Sequence, residues 1–282
     1  MKLGIRAHDL PKMPLEDLVK NLSQRNLNAV QLALNKSFDF TTAPGFLSPG
    51  LAHHIGTAFR EANIQIAVLG CYVNIIHPDR KERRQALAQF KEHLRYARDF
   101  GCSIVGTETG NIHAEIAYTD ENFSEAPFLD MLESVRELVA EAEKCGVIVG
   151  IEPGVNHPLH TPKKVTRMLE MVNSNNLQII FDPVNFLTSD NYLQQQSILQ
   201  EAISSWGDRV AVVHAKDFRV EDGNLMFVPL GKGWLNYELV FEQLISRKPH
   251  INIIMDEINK DDIEDSIQYL TGIKNNTNAP QQ

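Results

Sequence analysis

VIVGIE (147–152), LQIIFD (177–182) and VAVVHA (210–215) are the stretches whose reading decides the fold. Each is a short β-rich run, and longer amphipathic stretches lie between them. That alternation is the signature of βα units around a parallel sheet. It extends outward in both directions. LGIRA (3–7), AVQLAL (29–34), IQIAVLG (64–70) and SIVGTE (103–108) come before, and INIIMDE (251–257) comes after. Helices are expected over 15–25, 79–99, 128–144, 162–173, 191–205, 236–246 and 261–272. Thr161 and Pro162 read as a cap followed by a proline start, and Gly101 and Gly146 stand where helices should stop. Eight such units match an α/β fold of the (β/α)8 TIM barrel type. One domain is expected over residues 1–275, with a frayed polar tail at 276–282. An open doubly wound sheet would carry a glycine-rich turn after its first strand. Here that turn reads RAHDLPKMP (6–14), with no glycine.

Composition narrows the function. Apolar residues make up 43% and charged residues 22%, ordinary for a globular chain, so neither disorder nor a fibre is indicated. A net charge of −9 argues against nucleic acid as a partner. Three cysteines give no disulfide framework and suggest a reducing compartment. MKLGIRAHDL lacks a signal-peptide core, and no window has the ~20 apolar residues of a membrane span. The expectation is a cytoplasmic protein with no membrane partner.

Active sites of such barrels lie at the carboxyl ends of the strands. Strand four ends in Glu108, strand five in Glu152, strand six in Asp182, strand seven in His214 and strand eight in Asp256–Glu257. A single acid there is ordinarily a helix cap or a solvated charge. The last four ends together would bring three carboxylates and an imidazole face to face, and a divalent metal relieves their repulsion. Oxygen ligands with one imidazole suit Mn²⁺, Mg²⁺, Co²⁺ or Zn²⁺. Side chains alternate along a strand, so Asp256 and Glu257 point to opposite faces. Ile254 and Met255 are both apolar and do not decide between them. Glu257 is favoured for its longer reach.

GIEPG (150–154), IIFDPVN (179–185), VVHAKD (212–217), PLGKGW (229–234) and IIMDEI (253–258) resemble the xylose isomerase-like barrel superfamily, and within it the sugar-phosphate isomerase/epimerase group. The resemblance covers nearly the whole chain. It implies that Glu152, Asp182, His214 and Glu257 hold one divalent metal ion. It also implies that Glu152 and Glu257 are the catalytic acid–base pair flanking a small carbohydrate, one removing a proton beside a carbonyl and the other returning it. His77, Glu108, Asn185, Lys216 and Arg219 are expected to contact substrate. For Lys216 and Arg219 the alternative is a solvated loop, and for His77 a turn. A phosphorylated substrate would use backbone amides around Gly231 and Gly233. Barrels of this group often pair, which makes a homo-oligomer one expectation.

Two departures from the group's pattern bear on the substrate. Its D-x-x-H after strand six reads Asp182-Pro183-Val184-Asn185 here, and the loop PGVNHPLH (153–160) lacks the carboxylate of hexulose 3-epimerases. Both count against free hexuloses. Three rival readings remain beside an isomerase or epimerase. One is a dehydratase or lyase on a polyol, using the same metal and base. Another is a sugar-binding barrel without catalysis. The third is an endonuclease at abasic DNA sites, which would need a histidine at Asn185 and a metal-binding D-x-H where Phe227-Val228-Pro229 stands. Hydride transfer lacks its nucleotide fingerprint.

Overall fold

In a computed structural model the chain closes eight parallel strands into a barrel. Residues 1–245 and 247–277 are described. The strands are β1 (Lys2–Arg6), β2 (Ala29–Leu32), β3 (Gln65–Gly70), β4 (Ile104–Glu108), β5 (Ile148–Glu152), β6 (Leu177–Phe181) and β7 (Val210–Ala215), closed by β10 (Asn252–Met255). They pair in the order β1-β10-β7-β6-β5-β4-β3-β2. The remaining two, β8 (Asp217–Glu221) and β9 (Asn224–Val228), form an antiparallel hairpin in the connection after β7. The helices are α1 (Leu15–Gln24), α2 (Leu34–Ser37), α3 (Pro49–Glu61), α4 (Arg80–Tyr96), α5 (Glu125–Cys145), α6 (Pro162–Val172), α7 (Gln195–Trp206), α8 (Tyr237–Val240) and α9 (Ile263–Thr277). Among the described residues, no helix is long and apolar enough to cross a membrane. The tail expected to fray (276–282) lies outside the described residues from 278 onward, as does Ser246 in the helix expected over 236–246.

The caps behave as read. Thr161 accepts the Lys164 N–H at the start of α6, and Gly146 ends α5 in the left-handed region at φ 65°. The short helix α2, helix α3 and the β8–β9 hairpin were missed. α3 buries Ala52, Ile55, Gly56 and Phe59, a stripe half made of small residues and therefore faint as an apolar pattern. Gly56 is small because the backbone passes there: a Cβ would lie 2.6 Å from the Phe100 carbonyl oxygen. The β8–β9 hairpin turns on Asp222 and Gly223, both at positive φ (49° and 77°), the two-residue Asp-Gly turn that matches strand twist.

The barrel is filled by alternate residues. Ala29, Val68, Ile104, Ile180, Val212 and Ile254 form one interior cluster. Val30, Val105, Ile179, Phe181, Val213 and Met255 belong to a second, larger cluster that includes the buried faces of the helices. Glycines let the interior layer close. A Cβ on Gly106 would lie 2.6 Å from Val68 Cγ1 and 2.7 Å from Ile180 Cδ1. We therefore expect Gly106→Ala to overpack the barrel and cost about 1–3 kcal/mol. Urea unfolding measures this, and an unchanged midpoint would contradict the packing described.

Candidate metal centre at the barrel mouth

The interior layer fixes what stands above it. Two residues beyond Gly150, Ile180, Val212 and Ile254 come Glu152, Asp182, His214 and Asp256, so all four point inward by strand alternation. One ligand atom from each lies within 4.8 Å of the others, and all four residues are buried. The strand-eight acid in this cluster is Asp256, which corrects the preference for Glu257. Ile254 faces the interior and Met255 the helices, so parity sends Asp256 inward. The Asp256 N–H still donates to the Ala215 carbonyl on β7. The chain then leaves the strand at Glu257, which takes a positive φ of 55° and stands exposed on the rim of the cavity.

A circuit of hydrogen bonds orients the cluster. Glu152 Oε2 accepts the Tyr72 hydroxyl at 2.8 Å, and Oε1 accepts Asn185 Nδ2 at 3.0 Å. Having given its only proton to a carboxylate, Tyr72 accepts from Gln31 Nε2 at 3.0 Å. That turns Gln31 Oε1 toward His214 Nε2, 2.8 Å away, and makes Nε2 the protonated nitrogen. His214 Nδ1 then faces Glu152 Oε1 at 3.1 Å and Asp256 Oδ2 at 3.6 Å. On a neutral ring that nitrogen is a lone pair directed at two acceptors. The gap requires a cation, either a second proton on His214 or a metal ion. Burial opposes charge on His214, but Glu152, Asp256 and Asp182 outweigh it and raise the imidazole pKa. Asp182 Oδ2 and Asp256 Oδ1 are buried, and the groups that meet them are the cations of Lys216 and Arg6. This donor set fits a divalent ion.

Two organic cations reach the same acids. Arg6 pairs with Asp256 and is braced by Asp9 at 2.7 Å. Lys216, two residues beyond His214 and so also inward, places Nζ 3.1 Å from Asp182 Oδ2 and 3.7 Å from Asp256 Oδ2. Burial would raise the pKa of Asp256, but Lys216 and Arg6 outweigh it and hold the carboxyl below its ordinary value. Asp182 lacks a second cation, and burial pushes it up to about 6 against the pull of Lys216.

Above the cluster opens a cavity of about 620 Å³, within the range of small-molecule sites. Of the residues expected to contact substrate, Glu108, Asn185 and Lys216 line it, and Glu257 lines it too. Glu108 Oε2 lies 3.6 Å from His157 Nε2, and His157 Nδ1 donates to the Gly110 carbonyl at 2.8 Å. Two expected contacts are elsewhere. His77 Nδ1 accepts the Asp79 N–H at the start of α4, so it is a turn residue. Arg219 lies on β8 and donates to the Lys232 carbonyl at 2.6 Å, bracing the loop. The amides proposed for phosphate are occupied as well. Asp217 accepts the N–H groups of Phe218, Gly231, Gly233 and Leu235. Arg6, Gln31 and Tyr72 were not foreseen. Arg6 and Gln31 carried a signal, being polar residues inside otherwise apolar strand runs.

Fold and site define a (β/α)8 barrel with a cation-receptive cluster of three carboxylates and a histidine at its mouth. The chain belongs to the xylose isomerase-like TIM barrel family, whose model matches residues 8–273. No curated protein sequence matches it. Among solved structures it resembles a D-psicose 3-epimerase with D-tagatose from Clostridium cellulolyticum H10 (TM-score 0.73, 15% identity, 98% of this chain and 99% of that one). It also resembles the probable 3-DHS dehydratase AsbF of Bacillus anthracis (TM-score 0.74, 13% identity, 96% and 99%). A third is the IolI protein with a bound zinc atom (TM-score 0.71, 15% identity, 98% of each chain). At these identities the likeness is one of fold.

His8 generates a pH prediction. Burial, then Arg6 and Lys36, lower its pKa to about 3. A group that protonates less readily folded than unfolded contributes stability above its unfolded pKa and loses it as pH falls toward the folded value. Between pH 7 and 5 the wild type should therefore lose about 1–2 kcal/mol that His8→Gln does not, allowing for the part of the ring that meets water. Urea titrations at the two pH values measure the difference. Equal losses would contradict a neutral, half-buried His8.

Proposed function

We propose that this protein is a divalent-metal-dependent isomerase or epimerase. Its substrate is a sugar, sugar phosphate or keto-polyol, from which it removes a proton beside a carbonyl. The observation that carries the reading is the orientation of His214, whose Nδ1 is turned by Gln31 and Tyr72 toward two carboxylates. Glu152, Asp182, His214 and Asp256 would hold the ion. When bound, it would supply Lewis acidity that makes the carbon acid beside a carbonyl easier to deprotonate. The fold likeness to a 3-epimerase and to a zinc-bearing barrel supports the reading.

Glu152 is the base. Its carboxylate borders the cavity, and Tyr72 and Asn185 fix its plane by hydrogen bonds to separate oxygens. No Lys or Arg pairs with it among the described residues. Asn185 cannot take a proton, so its part is to orient Glu152 and to offer its remaining polar atoms to substrate. Lys216 and Glu108 border the same space and are placed to bind substrate oxygens.

One observation favours a second reading, a dehydratase or lyase on a polyol. Epimerisation by two bases needs a proton acceptor and a proton donor on opposite faces of the substrate. Asp256, the inward acid of strand eight, is paired with Arg6 and would be a ligand of the ion, both of which keep it a carboxylate. Removal of a proton by Glu152, followed by its return to a β-hydroxyl that departs as water, needs only one such group.

Incubation with Mn²⁺ and a panel of ketoses, keto-inositols and sugar phosphates in D₂O, read by NMR, tests the reading. We expect deuterium beside a carbonyl, abolished by chelator, with the product separating epimer, isomer and dehydrated ketone. Glu152→Gln should lower that exchange by a factor of about 10² or more while the protein stays folded. Near-normal exchange in this variant would remove Glu152 as base. In calorimetric titrations Asp256→Asn should lose most Mn²⁺ affinity and Glu257→Gln should keep it. The reverse pattern would restore Glu257 as the ligand.

A further inference from the structure

Lys216 is in an unusual place for a substrate-binding lysine. Its side chain is only 6% exposed, and its ammonium lies among the acids that would hold the ion, 3.1 Å from Asp182 Oδ2 and 3.7 Å from Asp256 Oδ2. On another side, Nζ stands 4.5 Å from the centroid of the Phe227 ring, carried by β9. The ammonium therefore has two neighbours, a pair of carboxylates and an aromatic face that lines the cavity.

Competition for the same oxygen decides between them. Asp182 Oδ1 accepts the N–H groups of Val184 and Asn185, which leaves Oδ2 for a cation, and that is the oxygen Lys216 holds. A divalent ion entering the cluster meets the ammonium there, and two cations at one buried oxygen repel. One positive group has to withdraw. Arg6 is anchored, since its guanidinium bonds Asp9 through both Nε and Nη2. Lys216 has no such second carboxylate outside the cluster, and its four-carbon stem is flexible. The Phe227 face already touches its ammonium and stays available to it when the acids are taken by the ion.

Resting on the metal reading above, we propose that Lys216 is a built-in counter-ion of the cluster. A divalent metal displaces it toward Phe227, and the displaced ammonium becomes the cation that the cavity offers to an oxygen of the substrate. Metal loading and the substrate's binding cation are then assembled in one event.

Two measurements on the full chain test this. Acetic anhydride labelling, read by peptide mass spectrometry, should find Lys216 slow to react in metal-free protein and at least tenfold faster at saturating Mn²⁺. Saturation is established by calorimetry on the same sample. Mn²⁺ binding with unchanged or slower labelling overturns the displacement and leaves the metal reading intact. Absence of Mn²⁺ binding overturns both. Lys216→Met removes the competitor and keeps the stem, so its Mn²⁺ affinity should rise at least tenfold, with folding checked by circular dichroism. Equal or weaker affinity overturns the counter-ion role. The labelling of wild-type protein decides the matter even if that variant does not fold.

Discussion

Strand alternation inside a closed barrel is the constraint on which the rest of this structure depends. Once Ile180, Val212 and Ile254 fill the interior, the residues two positions on have no choice of face. Asp182, His214 and Asp256 are driven into the same small volume from three strands, and Glu152 joins them from a fourth above Gly150. A single-residue slip in any of these strands would bury the polar group among the helices and point an apolar one at the mouth. Core packing and site geometry are therefore one requirement, because the layer that fills the barrel also sets the parity of the polar layer at its mouth.

The polar layer then solves its own electrostatic problem. Three carboxylates this close and this buried need compensation. Arg6 holds Asp256 and Lys216 bridges to Asp182, while the circuit through Tyr72 and Gln31 fixes Glu152 and the tautomer of His214. The one contact left unresolved by protein donors is His214 Nδ1 against Glu152 and Asp256. That contact separates a cluster organised around a cation from a merely tolerated group of acids.

Much of this was legible in the sequence. The eight strands were readable because buried parallel strands are short, β-rich and evenly spaced between amphipathic helices. Glu152, Asp182 and His214 were readable because each closes such a run. What escaped had physical reasons. α3 packs through Ala52 and Gly56, so close backbone approach replaced the large apolar residues that make periodicity visible. The choice between Asp256 and Glu257 turned on which of two fully buried residues, Ile254 or Met255, faces inward, and apolarity alone does not carry that information. The glycines of PLGKGW suggested an anion nest, but the local acid Asp217 uses their amides to shape the loop. Tyr72 lies two residues past the end of β3, in line with inward Val68 and Gly70, but no charge or run of apolar residues marked it in the sequence.

The most direct test of the central claim is a crystal of the protein with Mn²⁺, with anomalous scattering measured near the manganese absorption edge. The account predicts one strong peak enclosed by Glu152, Asp182, His214 and Asp256, with Glu257 outside its coordination. No peak in that space, or a peak bound through Glu257 with Asp256 turned away, would contradict it.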